Sequence, residues 1–435
     1  MEKVVPFRGI RYNQNAITQI GKVLAPPYDV ISPAQQKALY DSDEHNVVRL
    51  ILGYEYGTDT EADNRYTRSS EVLSKWLSGN ILSREALPAI YLYAQDYEME
   101  GRMLRRVGFI CRRLAEPFGQ SVHRHERTLS GPKLDRLKLT RACKTNFSPI
   151  FGLYADPEKK LDAIWAQIMN SKKPDINATD DDNVVHQMWV VTDQAVIAQV
   201  QSHLRNRDVV IADGHHRYET ALNYRSERHE AEKPAGPAEY DYVLMFLSNS
   251  LGEGFTVLPT HRLVKGVDEK AVKSLLERLP ESFDVKPVKF DPADSAPFMT
   301  ALRTAGAVAP SFGVIAPGVS SVITLKKEKY LEGDTGGLSD VLRLLDVSVL
   351  QELVFERMLG ITKEAVADKS VIGYTISPKE AAQSIAKGET KVAFLLNPAD
   401  VSVVMDVAVK GGVMPQKSTY FYPKLISGLV FNPLT

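Results

Sequence analysis

Cysteine is nearly absent from this chain. Only Cys111 and Cys143 occur in 435 residues. Two widely spaced thiols match neither a zinc-ligand pattern nor a disulfide framework, so a reduced, cytoplasmic setting is expected. Long apolar runs are also missing. None approaches the about 18 residues that a membrane span needs, so no membrane partner is expected. The opening "MEKVVPFRGIRYN" has neither the apolar core nor the cleavage site of a signal peptide. Net charge is −1 and the pI is about 6.8. No overall positive field draws such a chain onto nucleic acid, and no nucleic-acid partner is expected. Several chemical signatures are absent too. No strand is followed by GxGxxG, and no GxSxG nucleophile elbow occurs. "GDTGG" at 333–337 lacks the Gly-Lys-Ser/Thr ending of a phosphate loop and reads as an ordinary loop.

What is present is an ordinary globular composition, 44% apolar and 25% charged. At about 100–200 residues per domain the length suggests two or three domains. Strand-like and helix-like segments alternate, which predicts a mixed α/β (α+β) protein. Ser32-Pro33 with Gln35 predicts a capped helix over "PAQQKALYDS", and "NVVRLILG" reads as a strand. "AIYLYAQDYEM" and "RRVGFICRRL" read as strands joined by a turn at "MEGR". The polar "SERHEAEKPAGPAEYD" after residue 225 reads as a loop, and a soft domain boundary falls near 250–265. Further on, Ser377-Pro378 with Glu380 predicts another helix start, and Gly388 its stop.

One stretch concentrates unusual chemistry: "VVIADGHHRYETAL", residues 209–222. Four apolar residues suit a buried strand. Gly214 permits a tight turn or a close approach to a ligand. A helix starting near Arg217 would aim unpaired N–H groups and a positive dipole end at that turn, a ready anion site. Arg217 adds a forked donor suited to phosphate. Either His215 or His216 can donate a hydrogen bond or move a proton. Asp213 can hold Mg²⁺, orient a histidine or accept a proton. A polar strand-helix turn satisfied by its own hydrogen bonds is the plainer alternative.

A second stretch, "HRHERTLSGPKLDRLKLTRACKTN", is basic. Between Gly101 and Lys144 twelve Lys and Arg face three acids. Such a local field attracts anions. His123, His125, Glu126, Arg127 and Lys133 are its densest part, and a solvated basic loop is the plainer alternative. His-x-His can bind metal, but a third ligand at a known spacing is missing. In "LAPPYDVIS" the rigid Pro-Pro-Tyr could fix the Asp29 carboxylate, or Asp29 could simply cap a turn. In "LPTHRLV" and "MPQKSTYFYPK", His261, Arg262, Lys417 and Ser418 are further candidates for contacting an anion, whereas Tyr420 to Tyr422 look like core packing.

Six ordered motifs, "LAPPYDVIS", "HERTLSGPKLDRL", "NFSPIFGLYAD", "IADGHHRYETAL", "LPTHRLV" and "MPQKSTYFYPKL", together resemble the bacterial and archaeal family catalogued as domain of unknown function 1015. The resemblance runs from about residue 5 to about 430. More distantly, the strand, Asp-Gly-His-His-Arg and helix arrangement is similar to the phosphate-binding turn of the ParB/sulfiredoxin-like superfamily. One branch of that superfamily phosphorylates free serine. This second resemblance implies a ParB/sulfiredoxin-like nucleotide-binding core at 1–55 and 190–250. It also implies an inserted α/β region with the basic loop at 56–189, and a C-terminal α/β domain at 251–435. It places nucleotide phosphates on Gly214 and Arg217, with Asp213, His215 and His216 matching the kinase-like version of the turn. It further implies an acidic general base in the N-terminal part, for which Asp29 and Glu44 are the nearest candidates. His125, Arg127 and Lys133 would complete the charge clamp. The expected cofactor is ATP or ADP with Mg²⁺, and the expected partner a small hydroxylated metabolite, free serine first. A homodimer is left open. A phosphate-ester hydrolase and a non-catalytic nucleotide sensor remain as alternatives on the same anion site.

Overall fold

Most strands of the first 250 residues gather into one mixed sheet in the computed structural model, which describes residues 1–126, 130–327, 330, 340–366 and 370–435. Tertiary contacts divide the chain into two units, residues 1–256 with 421–435, and residues 257–420.

The first unit runs β1 (Val4–Val5), β2 (Ile10–Tyr12), α1 (Pro33–Ser42), α2 (Val48–Ile51), α3 (Arg65–Ser78), β3 (Leu82–Arg84), β4 (Ile90–Met99) and β5 (Arg102–Leu114). It continues with β6 (Val122–Arg124), α4 (Ser130–Cys143), β7 (Thr145–Asn146), β8 (Ile150–Tyr154), α5 (Lys160–Ser171), β9 (Ile176–Thr179) and β10 (Val185–Val191). Then come α6 (Gln194–Leu204), β11 (Val209–Asp213), α7 (His215–Glu232) and β12 (Tyr242–Asn249). The main sheet has the order β6-β11-β8-β12-β5-β4-β10-β9, with β1 added to β5. It mixes strands from 1–55, 56–189 and 190–250. β6 lies parallel to β11 and β8 parallel to β12, while β8 and β11 are antiparallel. The β4–β5 hairpin turns at Glu100-Gly101, both with positive φ (50° and 74°), as a tight hairpin turn requires.

Trp165 of α5, Ile197, Val200 and Leu204 of α6, and Tyr218 of α7 pack into one core with Phe109, Ile150, Ile211 and Leu247 of the sheet. Each such buried side chain contributes about 1.5–3 kcal/mol. A second core joins Leu73 and Trp76 of α3, Leu139 and Cys143 of α4, and Phe431 of the C-terminal segment. That segment is held by backbone bridges from Phe431 to Ile10 and from Ser427 to Ala25. Asn432 and Pro433 add a pairing with β7.

Ser32 caps α1 by accepting from the Gln35 N–H at 3.2 Å, as expected. Three sequence expectations change. "NVVRLILG" forms the short helix α2, because the Asn46 side chain accepts from the Val48 N–H (2.9 Å) and anchors to the carbonyls of Lys22 and Leu24. A short buried apolar run carries no period that separates helix from strand. The segment after residue 225 stays helical to Glu232, since Tyr218, Ala221 and Tyr224 continue one buried stripe and Arg228 pairs with Glu232 one turn on. Of the basic 120–144 stretch, Val122–Arg124 form β6 and Ser130–Cys143 form α4. The "GDTGG" loop lies outside the described residues.

The second unit is a fully antiparallel sheet of six strands. In spatial order these are Phe283–Pro287, Val319–Leu325, Ser311–Ala316, Val392–Leu395, His261–Val264 and Ile372–Thr375. Both faces are covered. Val272, Leu275 and Leu279 of the helix Glu269–Ser282 belong to one core. Phe298 and Leu302 of Ala296–Gly306, with Ala381 and Ile385 of Pro378–Ala386, belong to the other.

Candidate functional site

The chemistry of the first unit converges where β11 runs into α7. The β11–β8 register shifts between Ile211 and Asp213. Such a bulge turns the side chain that follows it. Gly214 then has φ 93° and ψ 26°, a conformation that residues with a Cβ adopt at a cost. A Cβ at this position would also sit 2.9 Å from Arg217 Nη2. Among the described residues no side chain caps α7, and its hydrogen-bond ladder starts with Tyr218 N–H donating to the Gly214 carbonyl at 3.0 Å. The first-turn N–H groups therefore point out of the helix end with the positive end of its dipole.

Asp213 is held by two cations. Arg217 Nη2 donates to Oδ2 at 2.9 Å, and Lys424 Nζ donates to Oδ1 at 2.9 Å. Arg217 also donates to the Pro149 carbonyl. Burial alone would raise the Asp213 pKa, but Lys424 and Arg217 outweigh it and hold the carboxyl well below the usual carboxylate range. The group is an ionised counter-charge across the physiological range.

Because β6 runs parallel to β11, His125 arrives beside the same turn. Its Nδ1 lies 2.7 Å from the Ile211 carbonyl. A carbonyl only accepts, so Nδ1 carries the proton. Burial pulls the His125 pKa down to about 4. The His125 and His215 rings meet edge-on, with centroids 4.7 Å apart. His215 is 8% exposed, and among the described residues its buried Nε2 has no hydrogen-bond partner. Burial first, and then the His125 charge, push its pKa well below the ordinary value. At neutral pH both imidazoles are uncharged.

The remaining candidates fall in different places. His216 is half-buried on the first turn of α7. Lys133 on α4 reaches α7, but its Nζ binds Glu219 Oε2 at 2.7 Å, and Arg124 approaches the same carboxylate at 3.6 Å. Glu126 is half-buried next to His125. Arg127 lies outside the described residues. Asp29 is exposed and directly follows Tyr28. The Arg136 guanidinium lies 3.8 Å from the Tyr28 ring centroid. Tyr28, Arg136, Ser148, Arg217 and Thr220 line one small pocket. Glu44 is exposed.

His261, Arg262, Lys417 and Ser418 belong to the second unit, where the side chains of His261, Arg262 and Ser418 bind backbone groups. His261 Nδ1 accepts from the Leu396 N–H at 3.1 Å. Arg262 donates to the carbonyls of Thr260, Gln416 and Lys417 at 2.9, 3.1 and 3.0 Å. Ser418 donates to the Pro415 carbonyl at 2.5 Å. Among the described residues no group of three or more His, Cys, Asp or Glu is arranged to hold a metal ion. With each of its oxygens already taking a cation, Asp213 does not fit the role of a resident Mg²⁺ ligand. Sequence reasoning missed Lys424. It stands in the quoted "MPQKSTYFYPK" stretch, whose aromatic residues pointed to packing.

Residues 4–348 match the family model described as "Protein of unknown function (DUF1015)". The chain belongs to this family. No curated protein matches this DUF1015 member. Solved structures that resemble it include a conserved hypothetical protein from Pyrococcus furiosus, at 14% identity and TM-score 0.36, covering 74% of this chain and 94% of that one. A free serine kinase in complex with AMP is similar at 14% identity and TM-score 0.34, covering 72% and 86%. SbnI from Staphylococcus aureus is similar at 11% identity and TM-score 0.36, covering 73% and 86%. Among the described residues of this DUF1015 chain no helix is long and apolar enough to cross a membrane.

Proposed function

We propose that the first unit is a nucleotide-dependent phosphotransferase acting on a small hydroxylated metabolite, with free serine the leading candidate. The observation that carries this reading is the convergence at one helix N-terminus of Arg217, Lys424 and His215 Nε2, which has no hydrogen-bond partner among the described residues. Phosphoryl transfer asks a protein mainly for positioning and for fixed positive charge. The first-turn N–H groups of α7, the Arg217 fork and Lys424 hold the nucleotide phosphates of ATP or ADP. His215 Nε2 hydrogen-bonds the transferring group. His125 sets the His215 ring by edge contact. Asp213 keeps the two cations in register while the site is empty. The pocket of Tyr28, Arg136, Ser148 and Thr220 beside Arg217 takes the acceptor. Asp29, next to Tyr28, is the candidate base for the acceptor hydroxyl. Mg²⁺ enters as part of the nucleotide substrate. Calorimetry with ADP and ATP, with and without Mg²⁺, tests binding, and ³¹P detection of phosphoserine from ATP and serine tests transfer. Absence of nucleotide binding in every condition sinks the reading.

A further inference from the structure

A buried guanidinium far from the sequence motif hydrogen-bonds the backbone directly before Lys424. Gln95 on β4 and Arg106 on β5 are cross-strand register partners. Both side chains are fully buried. Arg106 donates to Gln95 Oε1, to the Tyr422 carbonyl at 3.3 Å and to the Pro423 carbonyl at 2.5 Å. Gln95 Nε2 donates to the Lys424 carbonyl at 3.0 Å. One polar pair thus grips three successive carbonyls of the returning C-terminal segment. A buried cation is costly unless its donors are used, and here they are spent on that grip.

Anchoring the segment does not require this pair. Ser427, Phe431 and Asn432 already fasten it to Ala25, Ile10 and Asn146. What the pair adds is the position of residues 422–424, and with it the Lys424 ammonium 2.9 Å from Asp213. Asp213 accepts from two cations, so the trio keeps one surplus positive charge beside the positive end of α7. A phosphate oxygen arriving there meets Arg217 and Lys424 already oriented, with Asp213 having occupied their donors in its absence.

We infer that Lys424 is the second phosphate-binding cation of the site, and that Arg106 and Gln95 are positioning residues that fix its ammonium; the inference rests on the nucleotide-binding reading above. Calorimetry on the full chain with ADP and with inorganic pyrophosphate tests it. Lys424→Met should weaken both ligands by about tenfold or more, the scale of a lost hydrogen bond to a charged group. Lys424→Arg should recover affinity to within about threefold of native, since the charge is restored. Gln95→Leu should weaken ADP several-fold although Gln95 touches no ligand. The salt dependence of ADP affinity should flatten in Lys424→Met and stay native-like in Gln95→Leu, a difference that general loosening of the fold does not produce. If Lys424→Met does not fold, Lys424→Gln removes the charge while keeping a donor and gives the same comparison. A native chain that binds ADP while the neutral Lys424 variants bind within about twofold of it overturns this inference and leaves the functional reading standing. A native chain that binds neither ligand overturns both.

Discussion

Gly214→Ala tests the turn that starts the site. Two costs can be worked from the geometry. At φ 93° the backbone is left-handed, which costs a residue with a Cβ about 1–2 kcal/mol. The new methyl would also lie 2.9 Å from Arg217 Nη2. The guanidinium must then move off Asp213, and a hydrogen bond to a charged group is worth about 1.5–3 kcal/mol. Partial relaxation of the long side chain reduces that second cost, so about 2–4 kcal/mol in total is expected. Urea unfolding of the native and variant chains measures it. ADP affinity should fall in parallel, because Arg217 loses its orientation. Gly214→Asn separates the two contributions. Asparagine tolerates the left-handed region better than alanine but carries the same Cβ, so it should recover part of the stability and little of the affinity. An alanine variant within about 0.5 kcal/mol of native, with unchanged ADP binding, would refute the reasoning.

The buried histidines predict a pH dependence with a definite sign. The folded pKa of His125 is about 4, below its ordinary value of about 6.5. The unfolded chain therefore binds the extra proton, and stability is lost as pH falls through the window from about 6.5 to about 4, at up to about 1.4 kcal/mol per pH unit per histidine. Urea midpoints at pH 7 and pH 5 should show the loss, and His125→Asn should reduce it; a midpoint that holds or rises on acidification contradicts neutral burial. For the acceptor side, Asp29→Asn should abolish transfer to serine while ADP affinity stays within about threefold. A variant that still turns over at the native rate removes Asp29 as the base.

The turn itself was legible because its residue types are constrained by physics. A glycine between an apolar strand and a helix signals special φ, and Arg217 at i+4 from Asp213 is the spacing that lets the two pair. The closeness of the basic 120s to that turn was not legible. It depends on β6 adding in parallel to the edge of β11, a long-range pairing with no local sequence signal. Lys133 shows the limit from the other side. Its charge suggested phosphate, yet Glu219, 86 residues away in the chain and two residues after Arg217, takes it. Lys424 was hidden because its partner Asp213 is remote in the chain, and because Tyr420 to Tyr422 framed it as packing. The serine N-caps at Ser32 and Ser377 could be placed from sequence, since the N–H groups they accept from are three residues away. The α2 run could not, since its start depends on how Asn46 reaches back to Lys22 and Leu24.

Asp213 is the residue whose chemistry and structural duty pull apart most clearly. As a general base it would need an appreciable proton affinity near neutral pH, whereas Lys424 and Arg217 hold its pKa well below the usual range. As a counter-ion it needs only its charge. Asp213→Asn separates the two. Loss of the partner of two cations costs up to about 3–5 kcal/mol when the site is fully buried, and the 24% exposure of this side chain reduces that to about 1–3 kcal/mol through solvent screening. The counter-ion role predicts this loss in urea unfolding together with ADP binding that is retained or tightened, because the two cations then face the phosphates without a competing carboxylate. The base role predicts unchanged stability, unchanged binding and no transfer. Unchanged stability would therefore refute the assignment of Asp213 as the charge that holds the empty site together.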